Sequence, residues 1–371
     1  LAGHKPLALV GGATGLIGDP KPGGERSWLY ADVAADNVRR IQGQLEHFLT
    51  FGEGATDAIL VNNLDWTKGL DVLDFLRDVG KHFSVNAMIQ KESVKQRIER
   101  EGEGISFTEF SYQLLQSNDY LELFRRHECT LQIGGSDQWG NITAGVDLIR
   151  RMEGESVHAM TTPLMTKSDG TKFGKSTGGG AVWLDPARTS PYTFYQFWIG
   201  ADDRDVSRYL RFFTLLDRDT IEALDQSVRT APEQRAAQRA LATEVTMRVH
   251  GAEAARVAQE VSALLFEKAD PQGLSDGALD ALRHEIPFAM YAASADGPAL
   301  SEGIDVYECL TALGLAASRG AAKRLLEQGG VSINGTKLSA ADRLAGEDRL
   351  LRGRHLLLKK GAREFGLIRV P

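Results

Sequence analysis

Residues 6–20 read Pro6-Leu7-Ala8-Leu9-Val10-Gly11-Gly12-Ala13-Thr14-Gly15-Leu16-Ile17-Gly18-Asp19-Pro20. The apolar run that opens this stretch stops at a pair of glycines. A short apolar run bounded by a turn signal reads as a buried parallel strand. The glycines after it let backbone approach a ligand closely, and N–H groups at a following helix start can face an anion. The spacing is not GxGxxG, so a dinucleotide is not implied. A plain strand–helix turn is the bland reading of the same residues. Lys21 and Arg26 follow, within reach of phosphates.

Outward from this stretch the pattern repeats. Residues 57–63 and 130–135 read as a second and a third buried strand, each ending in Asn or Gly. Helical periodicity fills the gaps at 36–51, 69–80, 87–100 and 108–127. Strands alternating with helices predict an α/β unit with a parallel sheet. In such sheets ligands bind beyond the carboxyl ends of the strands.

The helix over 108–127 carries Tyr112, Gln116 and Asp119 at i, i+4 and i+7, on one face. A polar stripe of this kind is ordinarily a solvated face. The sharper reading is a hydroxyl, an amide and a carboxylate converging on one small polar ligand. After the third strand comes Gly134-Gly135-Ser136-Asp137-Gln138-Trp139-Gly140-Asn141, which puts Asp137 and Gln138 where a strand tip meets a helix.

Residues 166–180 are polar and hold glycines at 170, 174, 178, 179 and 180, the density of a loop. Within it lies Lys172-Phe173-Gly174-Lys175-Ser176. Two lysines three apart in such a loop can fold over a polyphosphate and neutralise charge on a leaving pyrophosphate. A solvated surface loop would read the same way.

Ser190-Pro191 is a helix start, and amphipathic helices follow to about residue 285. The first is rich in aromatics, with core packing as the plain explanation. Residues 286–300 lose periodicity and read as a linker. Beyond them lies a unit of about seventy residues, 301–371, with a basic amphipathic helix at 319–329 and an Asn334-Gly335 hairpin turn.

The chain has 371 residues with 42% hydrophobic content, enough for two or three domains with their own cores. Its net charge of −7 is uneven. Residues 319–371 carry 12 Lys and Arg against 5 Asp and Glu, leaving a net of −14 on the remainder. A basic tail on an acidic body suits a polyanion such as RNA, gripped by charge. The candidate contacts are Arg319, Lys323, Arg324, Lys337, Arg352, Arg354, Lys359 and Lys360, with a solvated basic surface as the bland alternative. Two distant cysteines suggest no disulfide framework and a reducing, cytoplasmic setting. No run of eighteen apolar residues indicates a membrane span.

The strings GGATGLIGDP, FSYQLLQ, LQIGGSDQWGN, KFGKS and SPYTFYQFW resemble, in order and spacing, the bacterial-type tyrosyl-tRNA synthetases of class I, over the length of the chain. The resemblance implies a Rossmann-like catalytic domain over 1–165 and a KMSKS-type loop over 166–180. It further implies a helical domain over 181–285, the linker, and a small α+β RNA-binding domain over 301–371. It implies ATP with Mg2+ as co-substrate, no tightly bound metal or organic cofactor, and L-tyrosine and tRNA(Tyr) as partners. Asp119 would accept the substrate phenol hydroxyl, while Asp19, Tyr112 and Gln116 hold its ammonium. Gln138 would lie by the carboxylate and α-phosphate, and Gly135 and Asp137 by the ribose. Lys172 and Lys175 would stabilise pyrophosphate, helped by Lys21 and Arg26, although that segment runs one residue short of the family spacing. The family is a symmetric dimer, and Phe107 matches an interface position, with a core phenylalanine as the alternative.

The family's HIGH signature and first strand belong upstream of the strand at 6–10, and the sequence holds neither; the expectation is a chain that begins after them. Two other readings stand beside a tyrosine–tRNA ligase. A tryptophanyl-tRNA synthetase shares the class I core but not the appended basic domain. A non-catalytic RNA-binding protein on a synthetase scaffold would explain the missing HIGH segment.

Overall fold

The structure is a computed structural model that describes residues 2–18, 30–91, 94–95, 98–99, 104–170, 173–174, 181–292 and 302–371. The chain divides into two compact units, 1–173 and 174–371.

In the first unit β1 (Leu7–Val10) pairs in parallel with β2 (Ile59–Asn62). Between them lie α1 (Thr14–Ile17) and α2 (Ala31–Leu45). After β2 come α3 (Leu64–Thr67), helical turns over residues 72–82, and α4 (Val85–Ile89). The long helix α5 (Phe107–His127) then leads to β3 (Leu131–Gly135), α6 (Trp139–Met152) and β4 (His158–Thr162).

Local chemistry sets the ends of α5. Ser106 Oγ accepts the Glu109 N–H at 3.2 Å, the reciprocal spacing of a capping box. Arg125, Arg126 and His127 sit in its last turn, where positive charge complements the helix dipole. Glu128 ends the helix in the left-handed region at φ 54°. The middle of α5 packs on α6 through Tyr120, Leu121, Ile142, Leu148 and Ile149. Gly145 makes the close approach possible, since a Cβ there would lie 2.9 Å from Tyr120 Cβ. The Tyr120 hydroxyl then donates to the His158 carbonyl at 2.8 Å and ties α5 to β4.

The single parallel sheet expected from the sequence is instead two parallel pairs among the described residues, β1–β2 and β3–β4. β4 escaped the sequence reading because its side chains alternate between exposed and half-buried, with no apolar run. One face of the second pair leaves Leu131, Ile133 and Met160 exposed.

The second unit starts with six helices. These are α7 (Pro191–Ile199), α8 (Asp203–Phe213), α9 (Arg218–Thr230), α10 (Ala236–His250), α11 (Ala252–Phe266) and α12 (Asp276–Glu285). Ser190 caps α7 with Pro191 in its first turn, as the sequence predicts. Its aromatics are core: Tyr192, Phe194, Tyr195 and Trp198 are buried, and Trp198 meets Phe213 edge-on at 5.0 Å.

The linker expected at 286–300 begins with a strand. β5 (Phe288–Met290) pairs in parallel with the last strand of the chain, and three residues are too few to show a period of two. Next come β6 (Ile304–Asp305), α13 (Val306–Ala312), α14 (Arg319–Glu327), β7 (Val331–Ile333) and β8 (Thr336–Lys337). β9 (Leu344–Ala345), β10 (His355–Lys360) and β11 (Glu364–Arg369) complete the chain. Strands order as β5-β11-β10-β7-β8, with β6 and β9 paired separately. Asn334 and Gly335 both take positive φ, 49° and 84°, as a two-residue hairpin turn requires. One core joins helices to sheet: Tyr192, Leu264 and Leu282 share a cluster with Leu357, Phe365 and Leu367. Among the described residues, no helix is long and apolar enough to cross a membrane.

Candidate active site

The carboxyl end of β2 is where the first unit becomes polar inside. Asn63 follows the strand and is buried to 1% exposure. A buried amide must find partners for both ends. Its Oδ1 accepts the Ala13 N–H at 2.7 Å, fixing the turn after β1. Its Nδ2 donates to Thr14 Oγ1 at 2.9 Å and to Asp119 Oδ2 at 3.0 Å. A Cβ at position 12 would collide with the Asn62 amide, so any larger residue there requires that side chain to move.

Asp119 comes in from α5 and is 2% exposed. Its second oxygen accepts the indole N–H of Trp66, from α3, at 2.8 Å. Burial pushes the carboxyl up to about 6, while the Asn63 and Trp66 bonds hold it down and the charge of Glu122 pushes it up further. Each oxygen thus has one donor and keeps a lone pair for another.

One and two turns toward the start of α5, Gln116 and Tyr112 are half-buried, on the same face as Asp119. Gln116 Nε2 donates to Gln138 Oε1 at 3.0 Å, and Gln116 Oε1 accepts from Asn141 Nδ2 at 2.9 Å. Gln138 Nε2 in turn donates to Asp137 Oδ2 at 3.2 Å. Gln116 of the expected α5 stripe and the expected strand tip after β3 therefore meet in one amide network. Gly135 ends β3 beside it, half-buried. The arrangement offers a buried acceptor at one end and a row of amides at the other, suited to a ligand with a hydroxyl and a charged polar head. Asp19, Lys21, Arg26, Lys172 and Lys175 lie outside the described residues.

Sequence reasoning missed Asn63, Trp66 and Asn141. The signal available was the polar pair Asn62-Asn63 at the end of a buried strand, where an unneeded amide would be costly.

The basic candidates of 301–371 divide by what they touch. Arg319 pairs with buried Asp305 at 2.9 Å and with Glu308 at 2.7 Å. Arg352 donates twice to the Leu274 carbonyl, at 3.0 and 2.9 Å, and Arg354 faces Asp276 at 3.3 Å. Lys359 lies over the Phe365 ring at 4.8 Å, Lys360 meets Glu364 at 3.0 Å, and Lys323 is 3.8 Å from Glu327. Arg324 and Lys337 are exposed and carry no ion pair among the described residues. Phe107, at the first turn of α5, is 75% exposed, so it is not a core phenylalanine in this unit.

Two known families match the chain. Residues 1–267 match the family described as tRNA synthetases class I (W and Y), and residues 293–368 match the tyrosine–tRNA ligase SYY-like C-terminal domain. The chain is similar to the tyrosine–tRNA ligase of Streptomyces griseus, 51% identical over 370 residues, covering 100% of this chain and 85% of the relative. It is also similar to that of Mycobacterium tuberculosis, 50% identical over 365 residues, covering 98% and 84%. Among solved structures it resembles a C-terminally truncated mitochondrial tyrosyl-tRNA synthetase of Aspergillus nidulans. That similarity has a TM-score of 0.60 at 30% identity, over 70% of this chain and 77% of the other.

Proposed function

The chain belongs to the class I tRNA synthetases of the tryptophan and tyrosine branch, with the tyrosine branch's own C-terminal domain, and we propose that it charges tRNA(Tyr) with L-tyrosine at the Asp119 pocket. It has the class I synthetase fold and is a tyrosine–tRNA ligase, a family that takes ATP as substrate. In the first step the tyrosine carboxylate oxygen bonds to the α-phosphorus of ATP while the bond to pyrophosphate breaks. In the second, a hydroxyl of the terminal adenosine of the tRNA takes the tyrosyl group and AMP leaves. No covalent bond to the protein is needed, so the chain's work is positioning and charge stabilisation.

The observation that carries the substrate assignment is the buried Asp119 carboxylate, held by Asn63 and Trp66 with acceptor capacity left over. A phenol hydroxyl donates into that capacity. Phenylalanine would leave it empty, and a site built around a buried hydrogen-bonding group rejects the analogue that lacks the partner. On this reading Tyr112, Gln116 and Asp19 hold the substrate ammonium. Gln138 lies against its carboxylate and the α-phosphate, and Gly135 and Asp137 against the ribose. Lys172 and Lys175 neutralise the departing pyrophosphate, helped by Lys21 and Arg26. Mg2+ arrives with ATP, as part of the nucleotide substrate.

Residues 301–371 form the tRNA-binding domain on this reading, supported by their net positive charge and by exposed Arg324 and Lys337. A homodimer is supported by large apolar side chains exposed on the first unit, among them Val72, Leu73, Val85 and Phe107. The compartment is the cytoplasm, where free Cys129 and Cys309 stay reduced. The test is ATP–pyrophosphate exchange driven by tyrosine, with phenylalanine and tryptophan as controls. Exchange with tyrosine alone is expected, and exchange driven by tryptophan would overturn the assignment.

A further inference from the structure

A groove of about 460 Å³ in the first unit is lined in part by His82, Met88, Lys91, Gln113, Asp147 and Arg151. Lys91 lies just beyond α4 and forms part of this lining. Its Nζ donates to the carbonyl oxygen of Gly140, in the first turn of α6. Its stem packs on the same turn: Cδ would lie 3.5 Å from a Cβ at Gly140. Gly140 stands between Gln138 and Asn141, the two residues of α6 and its cap that bond Gln116.

Thr143 Oγ1 lies 3.3 Å from the same carbonyl, but its shorter bond, at 2.8 Å, goes to the carbonyl of Trp139. Lys91 makes no ion pair among the described residues, so its half-buried charged head is met there by one carbonyl. That is a poor bargain for stability alone. It does fix where the first turn of α6 sits relative to α4. We infer that Lys91 is a positioning residue, which holds the Gln138–Asn141 turn in register with Gln116 by donating to the Gly140 carbonyl. The inference rests on the reading of Gln138 as a substrate contact.

The bond is strongest in the ammonium form. Burial pulls Lys91 down to about 8, with Asp147 acting weakly the other way. The other charged or titratable groups on the groove are His82, from the turn before α4, and Arg151, from α6; Gln113 from α5 is neutral. Loss of the Lys91 proton near pH 8 should therefore loosen the turn. An arginine, always charged, should hold it.

The experiment uses the intact protein with Lys91→Met and Lys91→Arg, and reads two signals across pH 6.5–9.5. The first is the fluorescence of Trp139, which neighbours Gly140 and is assigned by Trp139→Phe. Wild type should show a transition near pH 8 that both Lys91 variants lack. The second is tyrosine-dependent pyrophosphate exchange. Lys91→Met should lose on the order of ten- to a hundredfold in kcat/KM, the scale of a small misplacement of a contact group. Lys91→Arg should recover most of it and remove the alkaline limb. A Trp139 signal and pH profile unchanged in both variants would overturn the proposal. So would equal impairment of the two variants. If wild type shows no exchange, the functional reading fails, while the Trp139 titration still decides the role of Lys91.

Discussion

Trp66 donates its indole N–H to one oxygen of Asp119 at 2.8 Å, while Asn63 donates to the other at 3.0 Å, so a carboxylate that is 2% exposed is held from two sides. Neither donor carries a charge. The pair orients the carboxylate without neutralising it, which leaves its negative charge available to a third donor. A cation in either place would have satisfied Asp119 and spoiled it as an acceptor.

The raised carboxyl gives a signed expectation. A folded value near 6, above the ordinary 3.8, means that stability is greatest below 3.8 and is lost as pH rises through 6. Asp119→Asn removes that dependence. The difference in unfolding free energy between variant and wild type should move in the variant's favour by roughly 2–3 kcal/mol between pH 4 and pH 7.5. Urea melts of both proteins at the two pH values check this, and a difference that does not change with pH would refute the burial account.

The same substitution should weaken use of tyrosine. Replacing a charged acceptor by an amide removes about 1.5–3 kcal/mol of hydrogen bonding, or roughly ten- to a hundredfold in kcat/KM. Phenylalanine should gain nothing of comparable size. Steady-state exchange kinetics with both amino acids measure the ratio.

Asn63→Ala removes the partner of Ala13 N–H, Thr14 Oγ1 and Asp119 Oδ2 together. A loss of about 2–4 kcal/mol in stability is expected, more than one lost bond, because buried groups are left unpaired. The Asp119 carboxyl should also titrate higher, since a bond that held it down is gone. Thermal melts and the pH dependence of tyrosine KM report the two effects separately.

The basic tail should split into structural and binding cations. Arg319→Ala leaves buried Asp305 with Arg343 and the Tyr307 N–H and should cost about 1–3 kcal/mol of stability, with the salt dependence of tRNA binding nearly unchanged. Lys337→Ala or Arg324→Ala should leave stability within about 0.5 kcal/mol and lower the slope of log K against log salt by about one. Equal slopes in all three variants would remove Arg324 and Lys337 from the interface.

Much of this was legible in the sequence because the decisive signals were local. The i, i+4, i+7 spacing on α5 required Tyr112, Gln116 and Asp119 to share a face, and the Asn334-Gly335 pair required a hairpin. The aromatic helix α7 was core, as its composition suggested. What stayed hidden depended on tertiary contact. Asn63 and Trp66 lie more than fifty residues from Asp119, and nothing near them in sequence names their partner. Arg319 and Arg352 read as free cations until Asp305, Glu308 and the Leu274 carbonyl are seen beside them. β5 was hidden by its length, since strand pairing across eighty residues leaves no local period.

The most direct test of the account is tyrosine-dependent ATP–pyrophosphate exchange by the intact protein, run side by side with phenylalanine and tryptophan and repeated with Asp119→Asn. The account predicts exchange with tyrosine alone, reduced by the substitution while the protein stays folded. Equal exchange with phenylalanine, or an Asp119→Asn protein as active as wild type, would show that this buried carboxylate does not select the substrate.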